Sequence, residues 1–147
     1  NLIMNKYLLS LIILFTNLSF SQEDLTTTDS TEVGFKIIEE IPVFKGCEEI
    51  DRNYRMKCFD LKIADHIKKN FKYPKKAERD NIQGKVYVTF IIDKEGNIGN
   101  IKTRGSHPIL QKEAFRIISL IPKMKPGMQK GKPVNVKYGF PLNFKLQ

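Results

Sequence analysis

Glycine (9) and proline (7) are too sparse in this 147-residue chain for a collagenous or low-complexity protein. Two cysteines cannot build a disulfide-dense scaffold, although they can make one bridge. Apolar runs of membrane-spanning character are missing beyond the N-terminus, which excludes a multi-span membrane protein. No G-x-S-x-G, H-E-x-x-H or phosphate-binding loop occurs, so no enzymatic constellation is expected. What the chain does have is positive charge, 25 Lys and Arg against 16 Asp and Glu, for a net +9. It also has 41% apolar residues, enough for a core and too many for wholesale disorder. Its length suits one domain.

The N-terminus sets the compartment. Lys6 precedes the apolar run Tyr7–Phe15, small residues Ser19 and Ser21 flank Phe20, and Gln22 opens an acidic, Thr-rich stretch. This layout predicts a secretory signal peptide over residues 1–21, cleaved after Ser21, with Met4 as the start. The alternative is a retained anchor. The 14 residues from Tyr7 to Phe20, at ~1.5 Å each, cover roughly 21 Å of a ~30 Å hydrocarbon core. Cleavage and export are therefore expected.

Charge divides the rest of the chain. Residues 22–40 carry six acids against Lys36, a net −5, and read as an acidic lead that is flexible from Gln22 to about Val33. With +1 in residues 1–21, the body from 41 to 147 carries +13. Its 23 basic residues are scattered, and the tightest cluster is Lys68–Lys76, five lysines with Phe71 and Tyr73 between them. No nucleic-acid-binding module is visible, so nucleic acid is not an expected partner. Solubility and attraction to anionic surfaces account for the charge.

Cys47 and Cys58 are expected to pair, because the compartment is oxidising and closing such a loop is worth ~3 kcal/mol in the chain-entropy model. A zinc site needs four closely spaced ligands, and two cysteines with isolated His66 and His107 do not supply them. Neither metal nor cofactor is expected. His66 is read as solvated, His107 as a residue at a helix entrance, and Asp93 with Glu95 as turn formers.

Periodicity predicts the elements. Asp60 is read as the N-cap of a helix through Phe71, with Leu61, Ala64, Ile67 or Lys68, and Phe71 on its apolar face; Tyr73-Pro74 ends it. A helical turn over Lys75–Asp80 follows. Val86, Val88, Phe90 and Ile92 alternate as a strand, and Asp93–Asn97 is a hairpin loop. A second strand runs from about Ile98 to Arg104, with Gly99 as a candidate bulge. Ser106-His107-Pro108 opens a second helix, capped by the Ser106 hydroxyl, with Leu110, Ala114, Ile117, Ile118 and Ile121 as its stripe. A turn-rich link leads to a last strand, in which Val134, Val136, Tyr138, Phe140, Leu142 and Phe144 face one way. Pro141 favours an edge position for that strand. The order helix-strand-strand-helix-strand gives an α+β, two-layer sandwich with helices on one face of a small antiparallel sheet.

These residues carry a resemblance. Tyr73-Pro74, Ala77, Gly84-x-Val86-x-Val88-x-Phe90-x-Ile92-Asp93-x-x-Gly96-x-Ile98, Glu113-Ala114, Pro122-x-Met124-x-Pro126-Gly127 and Gly131-Lys132-Pro133-Val134-x-Val136-x-Tyr138-x-x-Pro141-Leu142-x-Phe144 resemble the C-terminal domain of TonB energy transducers. The likeness spans roughly 60–147. Phe44-x-Gly46-Cys47 and Cys58-Phe59 resemble an extension seen in versions from the Bacteroidetes group, here residues 41–59. Met124 stands where the family usually has tryptophan, and methionine can fill the same apolar space.

The resemblance implies a periplasmic, non-enzymatic domain that grips the TonB box of outer-membrane transporters by strand addition while an inner-membrane motor pulls through it. Carried onto this sequence, Val134, Asn135, Val136, Lys137, Tyr138, Gly139 and Phe140 would offer the edge. Asn70, Phe71, Lys72, Tyr73 and Pro74 would form the loop that touches the transporter. An exposed edge is a template for main-chain pairing. Inward Tyr138 and Phe140 are read as core, outward Asn135 and Lys137 as contacts, and Tyr73-Pro74 also as a plain helix stop. Family transducers have a retained membrane helix and a long Pro-rich spacer, whereas Pro42 is the only proline before Pro74 here. Two readings stay open: a short transducer anchored through another protein, and a free-standing periplasmic interaction or regulatory module. A strand-exchanged homodimer is compatible with either.

Overall fold

The computed structural model describes residues 32–35 and 37–146. The expected signal peptide and most of the acidic lead lie outside the described residues. The chain begins with strand β1 (Glu32–Gly34), followed by helices α1 (Arg52–Asn70) and α2 (Lys75–Arg79). Strands β2 (Gly84–Ile92) and β3 (Ile98–Gly105), helix α3 (Pro108–Ser119), and strands β4 (Gly127–Gln129) and β5 (Lys132–Phe144) complete it. The sheet order is β1-β5-β2-β3, with β4 paired to β5 outside this path.

The α+β architecture follows from the strand alternation. Val86, Val88, Phe90 and Ile92 of β2 and Val136, Leu142 and Phe144 of β5 are buried, whereas Lys85, Tyr87, Lys137, Gly139, Pro141 and Asn143 are exposed. The buried face meets Phe59 and Ile63 of α1 and Leu110, Ala114, Ile117 and Ile118 of α3. β2 and β5 pair antiparallel over their whole shared length, from Gly84↔Phe144 to Ile92↔Val136. Met124, at 5% exposure, is part of the core.

The β2–β3 hairpin closes through Asp93, whose Oδ1 accepts from the amides of Glu95 (2.9 Å) and Asn97 (2.8 Å). Burial acts to raise the Asp93 carboxyl's pKa, but the hydrogen bonds from Asn97, Glu95 and Gly96 outweigh it and hold the pKa below its ordinary value. Gly96 takes φ +85°, and a Cβ there would fall on the Met124 carbonyl oxygen. The Met124 amide also donates to the Gly96 carbonyl at 3.0 Å, so this turn and the link before β4 are built against each other.

Several sequence expectations are corrected. α1 begins at Arg52 with Asp51 as N-cap, its carboxylate accepting from the Asn53 amide; Asp60 lies inside the helix. The buried residues of α1 are Phe59 and Ile63, with half-buried Ile67 and Phe71 packed against the core as expected, while Leu61 and Ala64 are exposed. His66 is not solvated: its Nε2 lies 2.9 Å from the Ile117 carbonyl oxygen and joins α1 to α3. The cap of α3 is His107 rather than Ser106, its Nδ1 accepting from the Ile109 amide at 3.2 Å. The β3 irregularity sits where Asn100, at φ +47°, is squeezed out of register, one residue past Gly99. β1 and β4 have no counterpart in the predicted order. β4 turns into β5 through Lys130 (φ +50°) and Gly131 (φ +71°), a two-residue hairpin loop of the kind that needs positive φ at both positions.

Candidate interaction site

β5 has two sides, and the side away from β2 changes character along its length. β4 pairs with Lys132–Val134 through the alternate residues that face β2 further along, and so does not lie on this side. At Asn135–Lys137 this side is taken by β1, which runs parallel in the register Glu32↔Asn135, Val33↔Val136, Gly34↔Lys137. The Phe35 amide then donates to the Lys137 carbonyl at 3.2 Å, and β1 turns away, closed by the Ile37 amide on the Gly34 carbonyl. Beyond Lys137, no strand among the described residues covers this edge. Since the Lys137 carbonyl faces β1 and the β2–β5 register is unbroken, alternation directs the main-chain groups of Gly139, Pro141 and Asn143 to the same open side. Pro141 thus lacks a donor only where no ladder partner asks for one. Its expected edge position holds for this part of β5 and not for the first half.

α1 runs beside the open edge and encloses a trough with it. Two grooves lie along that seam. One, of about 750 Å³, is bounded by Gly34, Phe35 and Ile37 after β1, Met56 and Asp60 of α1, and Lys137, Tyr138 and Gly139 of β5. The other, of about 500 Å³, is bounded by Ala64, Ile67, Lys68 and Phe71 with Asn143 and Lys145. Residues 56, 60, 64, 67 and 71 fall on one helical face. The stripe predicted as core on α1 therefore lines the trough in its second half.

An aromatic cluster fixes the first groove. Phe35 packs tilted against Phe59 at 4.6 Å and Tyr138 at 4.5 Å, and Phe59 meets Tyr138 edge-on at 5.0 Å. The Tyr138 hydroxyl donates to Asp60 Oδ1 at 3.2 Å. Burial first, and the neighbouring Asp60 carboxylate second, push the Tyr138 phenol up to about 12. The wall behind is stapled by the Cys47–Cys58 disulfide, which ties the Phe44–Cys47 turn to α1.

The predicted loop Asn70–Pro74 stands at the other end of the trough. Phe71 packs on Phe144 at 5.3 Å and Tyr73 on Phe144 at 6.2 Å, while the Tyr73 hydroxyl donates to the Ile82 carbonyl at 2.8 Å. Glu113 of α3, at 9% exposure, accepts from the Lys72 amide (3.0 Å) and from Arg116 (2.7 and 2.8 Å). Arg116 in turn donates to the Asn70 carbonyl at 2.6 Å. Glu113 and Arg116 are the positioning residues that the sequence reading missed. Their three-residue spacing on a helix was available as a signal; their distance in sequence from the loop was not bridged by it. The structure does not bring Asn70–Pro74 beside Val134–Phe140. The two lie toward opposite ends of one strand, joined by the open stretch.

The sequence profile of the Gram-negative bacterial TonB protein C-terminal family matches residues 69–146, more than half of the chain. The chain belongs to that family. Its members serve TonB-related transport, are not enzymes, and are periplasmic or membrane-associated. Two solution structures of the TonB C-terminal domain from Helicobacter pylori are similar to it. One, of residues 179–285, shares 26% identity at a TM-score of 0.49, over 68% of this chain and 87% of that one. The other, of residues 194–285, shares 28% identity at a TM-score of 0.44, over 59% and 92%. No curated protein matches the chain. Among the described residues of this TonB-family domain, no helix is long and apolar enough to cross a membrane.

Proposed function

We propose that this TonB-family domain works in the periplasm and docks the TonB-box segment of outer-membrane transporters by strand addition along β5. The observation that supports this most is the edge itself. After Lys137 it loses its partner strand, and it turns the main chain of Gly139 and Asn143 toward a trough roofed by α1. Main-chain pairing would supply affinity, and the two grooves would select side chains. Val134–Phe140, with outward Asn135 and Lys137, is the predicted contact, of which Tyr138–Phe140 is already uncovered. Asn70–Pro74, held by Glu113 and Arg116, would meet the transporter at the far end.

The test is titration of the exported chain with a synthetic TonB-box peptide from a transporter of the same organism, followed by amide chemical shifts. Shifts concentrated on Tyr138–Asn143 are expected. Asn143→Pro removes one outward amide and spares the β2 ladder, so it should weaken binding about fivefold, the worth of one hydrogen bond near 1 kcal/mol. Saturable binding with no perturbation along β5, or no binding at all, would refute the proposal.

A further inference from the structure

The chain's own N-terminal strand lies on part of the edge assigned to the partner. We infer that β1 is a built-in pseudo-ligand, which covers Asn135–Lys137 until an incoming extended segment displaces it. This rests on the docking reading above and adds to it both a regulation and a description of the partner.

Three observations carry the inference. First, β1 pairs with β5 at three positions among the described residues and then leaves through the Gly34–Ile37 turn. A three-residue ladder adds few hydrogen bonds, each worth little net of solvent. Second, its hold depends on side chains at alternate positions, half-buried Val33 and buried Phe35. The Phe35 ring fills the slot between Phe59 and Tyr138 and forms one wall of the 750 Å³ groove. Withdrawing it would join that slot to the groove and to the open edge, giving one continuous track from Asn135 to Asn143. Third, β1 is parallel to β5, so this edge accepts a strand of that polarity.

β1 therefore describes its competitor. The partner is an extended protein segment running parallel to β5, with apolar residues two apart, the second bulky enough to replace Phe35. Docking on the open half alone would leave β1 in place; full docking requires its release. The apparent affinity of the wild-type chain is lowered by the fraction of molecules in which β1 is seated.

The experiment uses the exported chain as wild type, Phe35→Ala and Val33→Pro. Phe35→Ala removes the anchor. Val33→Pro removes an amide that alternation directs at β5 and leaves the Phe35 ring, so it serves if the first variant fails to fold. Two fluorescein-labelled peptides are titrated by anisotropy: residues 30–38 of this chain and a TonB-box peptide. Both variants should bind both peptides at least tenfold more tightly than wild type. In wild type, the TonB-box peptide should move the Val33 and Phe35 amides to unpaired positions in step with those of Asn135 and Lys137. Equal affinity across the three proteins overturns the inference, as does saturation with Val33 and Phe35 unmoved. Tighter binding of the 30–38 peptide by the variants, with no binding of the TonB-box peptide to any protein, upholds the displaceable β1 and sinks the transporter reading instead.

Discussion

Reducing the Cys47–Cys58 bond offers a test in which the size of the effect follows from chain topology. The two residues are 11 apart, and the bond joins the turn after Phe44 to the second turn of α1. In the chain-entropy model, a loop of that length confines the unfolded chain by about 3 kcal/mol. For a domain of roughly this size, each kcal/mol moves the melting temperature by about 4 °C, so reduction should lower it by about 12 °C. The native fold should survive, because neighbouring contacts do not depend on the sulfurs. Phe44 packs on Phe59 at 5.1 Å, the Cys47 amide donates to the Phe44 carbonyl at 3.0 Å, and Asp51 caps α1 independently. The assay is thermal unfolding followed by circular dichroism, with and without a phosphine reductant, with thiol counting to confirm cleavage. A melting temperature within about 3 °C of the oxidised protein would refute the reasoning, since the model assigns the bond several times that. Loss of the far-UV signal at 25 °C would refute it in the other direction.

Three further perturbations test other parts of the fold. Gly96→Ala would drive a Cβ into the Met124 carbonyl in a backbone of φ +85°, and should cost at least about 2 kcal/mol in urea denaturation. Glu113→Ala would remove the acceptor of the Lys72 amide and leave Arg116 without its carboxylate, lowering stability by about 2 kcal/mol. Its amide shift changes should centre on Asn70–Pro74. The Tyr138 phenol, pushed up to about 12 from the ordinary value near 10, favours the folded state fully below pH 10. That contribution should be lost as pH rises from 10 to 12. Tyr138→Phe should flatten this alkaline limb in denaturant midpoints measured across that range.

Sequence periodicity sufficed wherever structure is local or repeats along one strand. The core-cluster residues of β2 and β5 are the alternating set, with Ile91 buried outside that cluster, and the Asp93–Asn97 turn forms where its residue types belong. It failed where two patterns overlap on one helix. On α1 and its C-cap, residues 59 and 63 are buried in the core, 60 and 64 line the trough, and 67 and 71 touch both. Both sets have helical spacing, and only the position of the sheet decides between them. The start of α1 was missed because Arg52–Lys57 is polar and mostly exposed. β1 was beyond reach for another reason: it pairs with residues about a hundred positions away, and its three residues carry no periodicity of their own. The candidate site was legible as a strand, and its occupied half was not.

Pro141 has a further consequence, for edge-to-edge association between copies of this domain. An uncovered strand edge invites its own kind, and sheets joined edge to edge grow without limit into fibres. Between Gly139 and Asn143 the outward row has a carbonyl but no amide at its midpoint, so a second copy of β5 laid against it would meet an acceptor with no matching donor beside it. A short guest can pair on either side of that interruption. A long, regular self-addition cannot remain in register across it.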